Sequence, residues 1–272
     1  MAARGLLKAG VAPGDKVAIF SENRAGWAIA DFAIQCVQGI TVPIYATNTA
    51  AQAAYVINHC EAKIVFVSNR IQYEKLLSVS DQTPELEQVV SFDLFLGSHE
   101  LPVYSLYQLS EDSYPVSEQE RSKIESCIDA IQSTDLITII YTSGTTGVPK
   151  GVMLSQGNIL YDAHYGLEKL EAFGKNETFL SFLPLSHVLE RTAGYYAPLM
   201  TGCHVAFCES IDKVVENMQE ASPTVMVSVP RLFEKIYARI YEDVHKMSSI
   251  RSSLFHLAIK VGREFISRRY ID

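Results

Sequence analysis

Residues 135–158 read DLITIIYTSGTTGVPKGVMLSQGN. The run over 136–141 is apolar and rich in isoleucine, then breaks abruptly into hydroxyl side chains and glycine. A short β-branched run closed by turn formers is the pattern of a buried strand that delivers a loop. The loop over 142–150 holds Gly144 and Gly147, the hydroxyls of Thr142, Ser143, Thr145 and Thr146, and the ammonium of Lys150. Glycine lets the backbone turn tightly and come close to a bound group. Successive N–H groups in such a turn form a concave nest for anions. The stretch therefore reads as a phosphate-binding loop, with Thr142, Ser143, Gly144, Thr145, Thr146, Gly147 and Lys150 as the contacts. Neither G-x-x-x-x-G-K-[ST] nor G-x-G-x-x-G describes it, since Gly144 and Gly147 are three apart and Lys150 is followed by Gly151.

Upstream of this loop, short apolar runs alternate with helical patterns. Strands are expected over 17–20, 42–45 and 64–67, and helices over 25–37, 50–59 and 70–77. Gly39 reads as the closure of the first helix and Thr49 as the cap of the second. Such alternation argues an α/β fold, a parallel sheet with helices on its faces. Residues 81–116 read mostly as loop, with Val89 and Val90 opening an edge strand. Ser117 and Glu120 form a capping box for a helix reaching Ile131, with Ile124, Cys127, Ile128 and Ile131 as its apolar face.

Downstream, Ser155 caps a helix reaching Leu170, on which Tyr161, Tyr165, Leu167 and Leu170 are packing candidates. Strands are expected over 178–183, 204–208 and 224–229, and helices over 188–200, 211–218 and 231–247, with Pro198 disturbing the end of the first and Pro230 opening the last. In the last helix Leu232, Phe233, Ile236 and Ile240 read as core. His187, in PLSHVLER over 184–191, stands between a proline-ended strand and a helix start. That place suits a ligand site, a helix cap or a packed histidine. Glu190 and Arg191 read as a surface ion pair.

The chain has 272 residues, 48% of them hydrophobic and 20% charged, an ordinary globular composition. Its formal charge is -8, which argues against a general nucleic-acid footprint and leaves an anionic ligand dependent on a local positive site such as Lys150. No apolar run reaches the length of a membrane span, and the first residues show no signal-peptide hydrophobic region. The five cysteines fit no zinc spacing and read as free thiols of a reducing compartment, so a cytoplasmic location is expected.

The run YTSGTTGVPKGVMLS, from Tyr141 to Ser155, closely resembles the phosphate-binding signature of the acyl-adenylate-forming (AMP-binding) enzymes: acyl-CoA synthetases, luciferases and peptide-synthetase adenylation domains. The segments at 16–49, 181–202 and 224–240 are most similar to the bacterial long-chain fatty acid CoA ligases, and the resemblance covers essentially the whole chain.

The resemblance implies a ligase that joins a fatty acid carboxylate to the α-phosphorus of ATP, expels pyrophosphate and passes the acyl group to coenzyme A. ATP, Mg2+ and coenzyme A are the implied cofactors and co-substrates. It places Lys150 and the loop against the β- and γ-phosphates, and His187 near the α-phosphate and the acyl carboxylate. There His187 would orient or gate, since a fatty carboxylate is already ionised at neutral pH. Tyr195, Tyr196 and Phe233 are candidates for lining an acyl tunnel. The family's adenine-contacting segment, magnesium-binding glutamate, ribose-binding aspartate and C-terminal lysine domain find no match here. Residues 1–272 are therefore expected to be an incomplete large N-terminal adenylation domain, with no metal ligand of its own. Peripheral contact with the inner face of the membrane is compatible with a fatty substrate. A non-catalytic nucleotide- or acyl-binding protein, and an adenylating enzyme for another carboxylic acid, are the alternatives.

Overall fold

The computed structural model describes residues 1–111, 117–143, 147–169 and 174–270. Residues Met1–Val227 form one compact unit and Ser228–Asp272 a second. In the first unit, strands β1 (Lys16–Ser21), β2 (Ile40–Tyr45), β3 (Ile64–Val67), β4 (Gln88–Ser91), β5 (Val103–Ser105), β6 (Leu136–Ser143) and β7 (Pro149–Ser155) make one sheet, in the order β5-β4-β3-β1-β2-β6-β7. All neighbours are parallel except β6 and β7. Two further strands, β8 (Thr178–Ser181) and β9 (His204–Phe207), pair in parallel in a second small sheet.

Successive side chains on a strand point to opposite faces, and here both faces are covered. Val17 and Ile19 of β1 pack with Trp27, Ala30 and Ile34 of helix α2 (Ala25–Cys36), and with Leu6 of α1 (Ala2–Lys8). Ala18 and Phe20 pack on the other face with Ala53, Val56 and Ile57 of α3 (Ala50–Cys60) and Tyr73 and Leu76 of α4 (Arg70–Leu77). This is why the strand sequences read as continuous apolar runs and not as alternation. Each fully buried Ile or Phe contributes about 1.5–3 kcal/mol of transfer free energy.

Local chemistry starts the helices as expected. Thr49 and Gln52 form a reciprocal capping box on α3, and Ser117 and Glu120 another on α6 (Glu118–Asp129). Ser155 and Asn158 cap α7 (Gln156–Lys169) in the same reciprocal way. The end of α2 differs from expectation. The left-handed residue there is Gln38 (φ 58°), not Gly39. Gly39 is needed for space instead, because a Cβ would lie 2.9 Å from the Ile34 side chain.

Other expectations are corrected by tertiary pairing. β4 is not an edge strand, because β5, in a region read as loop, pairs beyond it; α5 (Leu106–Glu111) follows at once. β7 falls on the end of the expected loop and the residues after it, to which the sequence pattern assigns no element. It is an edge strand opened by its proline, where a missing N–H is tolerated. The run 224–229 forms no strand: Thr224 and Val225 donate to the Thr178 carbonyl, Leu180 donates to Val225, and the pairing stops. On α7 the buried residues are Ile159 and Ala163, whereas Tyr161 and Tyr165 stack on each other in solvent. Leu170 lies outside the described residues. On α6 only Ile124 packs against the core, and Ile128 is exposed.

Residues 188–201 are continuously helical, with a π-helical segment at Glu190–Tyr196 followed by α8 (Ala197–Thr201). The widened turn ends at Tyr196, two residues before Pro198, whose missing N–H would break an ordinary helical ladder. A short turn at Ile211–Lys213 and helix α9 (Val214–Ala221) follow. The second unit comprises α10 (Pro230–His245), opened by its proline, and α11 (Ser249–Tyr270). Tyr241 of α10 meets the Phe255 ring edge-on. Phe233 and Ile240 are exposed rather than core.

Candidate functional site

The hairpin β6–β7 carries the hydroxyl-rich loop at the carboxyl end of β6. Its register sets Tyr141 opposite Gly151, Thr142 opposite Lys150 and Ser143 opposite Pro149. Directly opposed residues share a face, so Thr142 and the exposed Lys150 stand together. Gly147 has φ +82°, a conformation that glycine adopts without strain. Gly144, Thr145 and Thr146 lie outside the described residues. Gly151 has a separate reason: a Cβ there would meet the Ile139 side chain at 2.8 Å and the Tyr141 ring at 3.3 Å. The glycine after the lysine thus lets the Tyr141 ring lie across β7.

His187 reaches the same place from another element. The loop after β8 is tied to the ends of β1 and β2. Asn23 donates to Ser181 Oγ (3.0 Å) and to the Leu183 carbonyl (2.6 Å), and accepts from the Leu185 N–H (2.9 Å). Ser186 Oγ donates to the Ile44 carbonyl (3.2 Å). His187 Nδ1 accepts the Leu189 N–H (3.2 Å), so the ring caps its own helix. In the neutral ring this puts the proton on Nε2, leaving a donor for a ligand. The histidine is therefore a helix cap whose ring is also exposed.

A cleft of about 360 Å³ joins these parts, lined by Tyr45, Asn48, Gln52, Tyr141, Thr142 and His187 among others. It lies outside the carboxyl ends of β2 and β6, where open α/β sheets bind ligands. The structure thus brings Thr142 and His187 together, with Pro149, the neighbour of Lys150, on the same wall. Tyr45, Asn48 and Gln52 went unnoticed in the sequence. Only their positions just after a strand and at a helix start mark them.

Glu190 and Arg191 are not a surface pair; both are fully buried. The Arg191 guanidinium donates to Asp31 Oδ1 (2.5 Å), Thr138 Oγ1 (2.5 Å) and the Tyr196 hydroxyl (3.1 Å). Tyr196 donates to Asp31 Oδ2 (2.7 Å), Thr41 Oγ1 to Asp31 Oδ1 (2.7 Å), and Thr138 Oγ1 to the Thr41 carbonyl (2.7 Å). One network therefore joins α2, β2, β6 and the helix that His187 caps. Tyr195 and Tyr196 belong to this core, with Tyr195 edge-on to Trp27, and Tyr196 also borders a cavity of about 230 Å³ beside Phe32 and Ile159. Phe233 is exposed in the second unit.

Glu190 packs its carboxylate over Gly194, where a Cβ would stand 2.5 Å from Oε1. Neither oxygen has a hydrogen-bond partner among the described residues. Burial, the largest effect, pushes its pKa up to about 7. An unfolded glutamate titrates near 4.3. The folded state therefore binds the extra proton between these values. Its contribution is complete below the lower one and is lost as pH rises through about 7. Glu190→Gln is expected to remove that slope, on the order of 4 kcal/mol at most. Urea midpoints from pH 4.5 to 8 check this, and equal slopes in wild type and variant would refute it.

Comparison with known proteins supplies the context. A family model described as AMP-binding enzyme matches residues 1–267. The long-chain-fatty-acid–CoA ligase FadD15 of Mycobacterium bovis is 38% identical over 241 residues, covering 87% of this chain and 38% of that protein. The human long-chain-fatty-acid–CoA ligase ACSBG2 is 30% identical over 274 residues, covering 99% of this chain and 40% of that protein. The chain thus spans about two fifths of these relatives. Among solved structures, o-succinylbenzoate CoA synthetase of Bacillus subtilis, in complex with its acyl-adenylate intermediate, superposes with a TM-score of 0.65 at 19% identity. It covers 87% of this chain and 55% of that one, a likeness of fold.

Proposed function

This chain belongs to the AMP-binding enzyme family, and from that premise we propose that the protein carrying it is an ATP-dependent long-chain fatty acid–CoA ligase. The observation that carries the reading is the hydroxyl-rich hairpin meeting His187 in one cleft at the carboxyl ends of β2 and β6. The identity to two long-chain ligases supports a fatty acid as the substrate class.

In this reading a fatty carboxylate oxygen attacks the α-phosphorus of ATP and the bond to the bridging oxygen breaks, releasing pyrophosphate. Coenzyme A thiol then attacks the acyl-adenylate carbonyl, giving acyl-CoA and AMP. Thr142, the loop and Lys150 hold the β- and γ-phosphates, where preorganised donors screen the charge that moves to the leaving group. His187, with its proton on Nε2, donates toward the α-phosphate or acyl oxygen and takes no proton.

The hydroxyl and ammonium donors fit a triphosphate. Among the described residues no three His, Cys, Asp or Glu side chains stand together as a cation site. Mg2+, which the family resemblance implies, would supply charge neutralisation at the phosphates. We read residues 1–272 as part of the larger adenylation domain. The free cysteines support a place in a reducing compartment, the cytoplasm, and a fatty substrate is compatible with peripheral contact at the inner membrane face. None of the described helices is long and apolar enough to cross a membrane.

The test is pyrophosphate release by the full-length protein with ATP, Mg2+ and a panel of acids. Release with long-chain fatty acids, followed by acyl-CoA formation, is expected. Release only with an aromatic or amino acid would reassign the substrate, and none with any carboxylate would leave a nucleotide- or acyl-binding protein.

A further inference from the structure

The phosphate-loop hairpin stands at the edge of the sheet, so among the described residues β7 has β6 as its only strand neighbour. A second support comes from α3. Tyr55 Oη donates to the carbonyl of Pro149, the residue before Lys150, at 2.9 Å. One turn along the same helix, His59 Nδ1 and the Tyr141 hydroxyl share a hydrogen bond of 2.7 Å. The Tyr141 ring meets Tyr55 and His59 edge-on, with centroids 6.3 and 5.6 Å apart, and Tyr55 and His59 lie 5.5 Å from each other. Residues four apart on a helix share a face, so α3 presents two polar aromatic groups, one to each stem of the hairpin. The helix itself is firmly placed. Thr49 and Gln52 cap it, and Ala53, Val56, Ile57 and Cys60 are buried against the sheet. Gly151 completes the arrangement by leaving room for the Tyr141 ring.

We propose that Tyr55 and His59 are positioning residues that clamp the two stems of this hairpin and so set where Lys150 and Thr142 stand against a bound triphosphate. The consequence for ATP rests on the proposed function; the clamp itself does not. Neither residue touches the nucleotide in this scheme. They act through the Pro149 carbonyl and the Tyr141 ring.

The test uses the full-length protein with Tyr55→Phe, which keeps the ring and deletes one hydroxyl, and with His59→Leu and His59→Asn. The Asn variant retains an oxygen or N–H near the Nδ1 position. Two readouts separate positioning from general stability. Amide hydrogen exchange of the β7 segment is expected to quicken about three- to tenfold in Tyr55→Phe and His59→Leu, the size of one net hydrogen bond. The urea midpoint should change little. The KM for ATP in pyrophosphate release should rise by a similar factor while the KM for the acid holds, with His59→Asn recovering part of the loss. Unchanged exchange at β7, or faster exchange with an unchanged KM for ATP, would overturn the proposal. If the wild type released no pyrophosphate with any acid, the proposed function would fall, and exchange at β7 would still decide the clamp.

Discussion

Arg191→Ala is expected to destabilise the protein by about 3–5 kcal/mol, the cost of stripping one partner from a buried ion pair. Arg191 and Asp31 are both fully removed from solvent. Deleting the guanidinium leaves the Asp31 carboxylate buried among neutral hydroxyls, those of Thr41 and Tyr196 bonded to it, with no cation to balance its charge among the described residues. It also removes a cation lying 5.1 Å from the Trp27 ring centroid, and a donor to Thr138. The loss is therefore electrostatic, packing and topological at once, because Thr138 in turn bonds the Thr41 carbonyl and ties β6 to β2. Asp31→Ala should cost a comparable amount. Replacing both by leucine should recover a good part, since a well-packed apolar pair often matches a buried ionic one. Urea unfolding of the two single variants and the double variant measures the coupling. Single losses below about 1 kcal/mol would show that the pair is already compensated by its neighbours.

Lys150→Ala is expected to lower kcat/KM for ATP in pyrophosphate release about a hundredfold or more, the usual scale for removing one preorganised charge or donor from a developing anion. Folding should be spared, because Lys150 is exposed on the edge strand. This contrast with Arg191 makes the prediction discriminating: one cation is structural and buried, the other is free to meet a ligand. Lys150→Arg should restore part of the activity, since charge persists while its placement changes. Activity equal to wild type in Lys150→Ala, with the fold intact, would remove the lysine from the phosphate site.

Much of this protein was determined by local sequence. The apolar runs of β1, β2, β3 and β6 specify buried strands, because a strand covered on both faces has no polar positions to offer. Thr49, Ser117 and Ser155 specify helix starts, because the donors they satisfy lie within three residues. The loop composition suggests the proposed phosphate site for the same reason: its donors are contiguous in the chain. What the sequence left undecided concerns partners distant along the chain. β5 and β7 exist because neighbouring strands supply hydrogen bonds that three or seven weak residues do not advertise. Arg191 reads as a surface charge until Asp31, 160 positions away, is placed beside it. The clamp on Pro149 requires Tyr55 from 94 positions upstream. Periodicity and capping act over a few residues, whereas burial of a charge and support of a loop depend on which elements the finished sheet sets side by side.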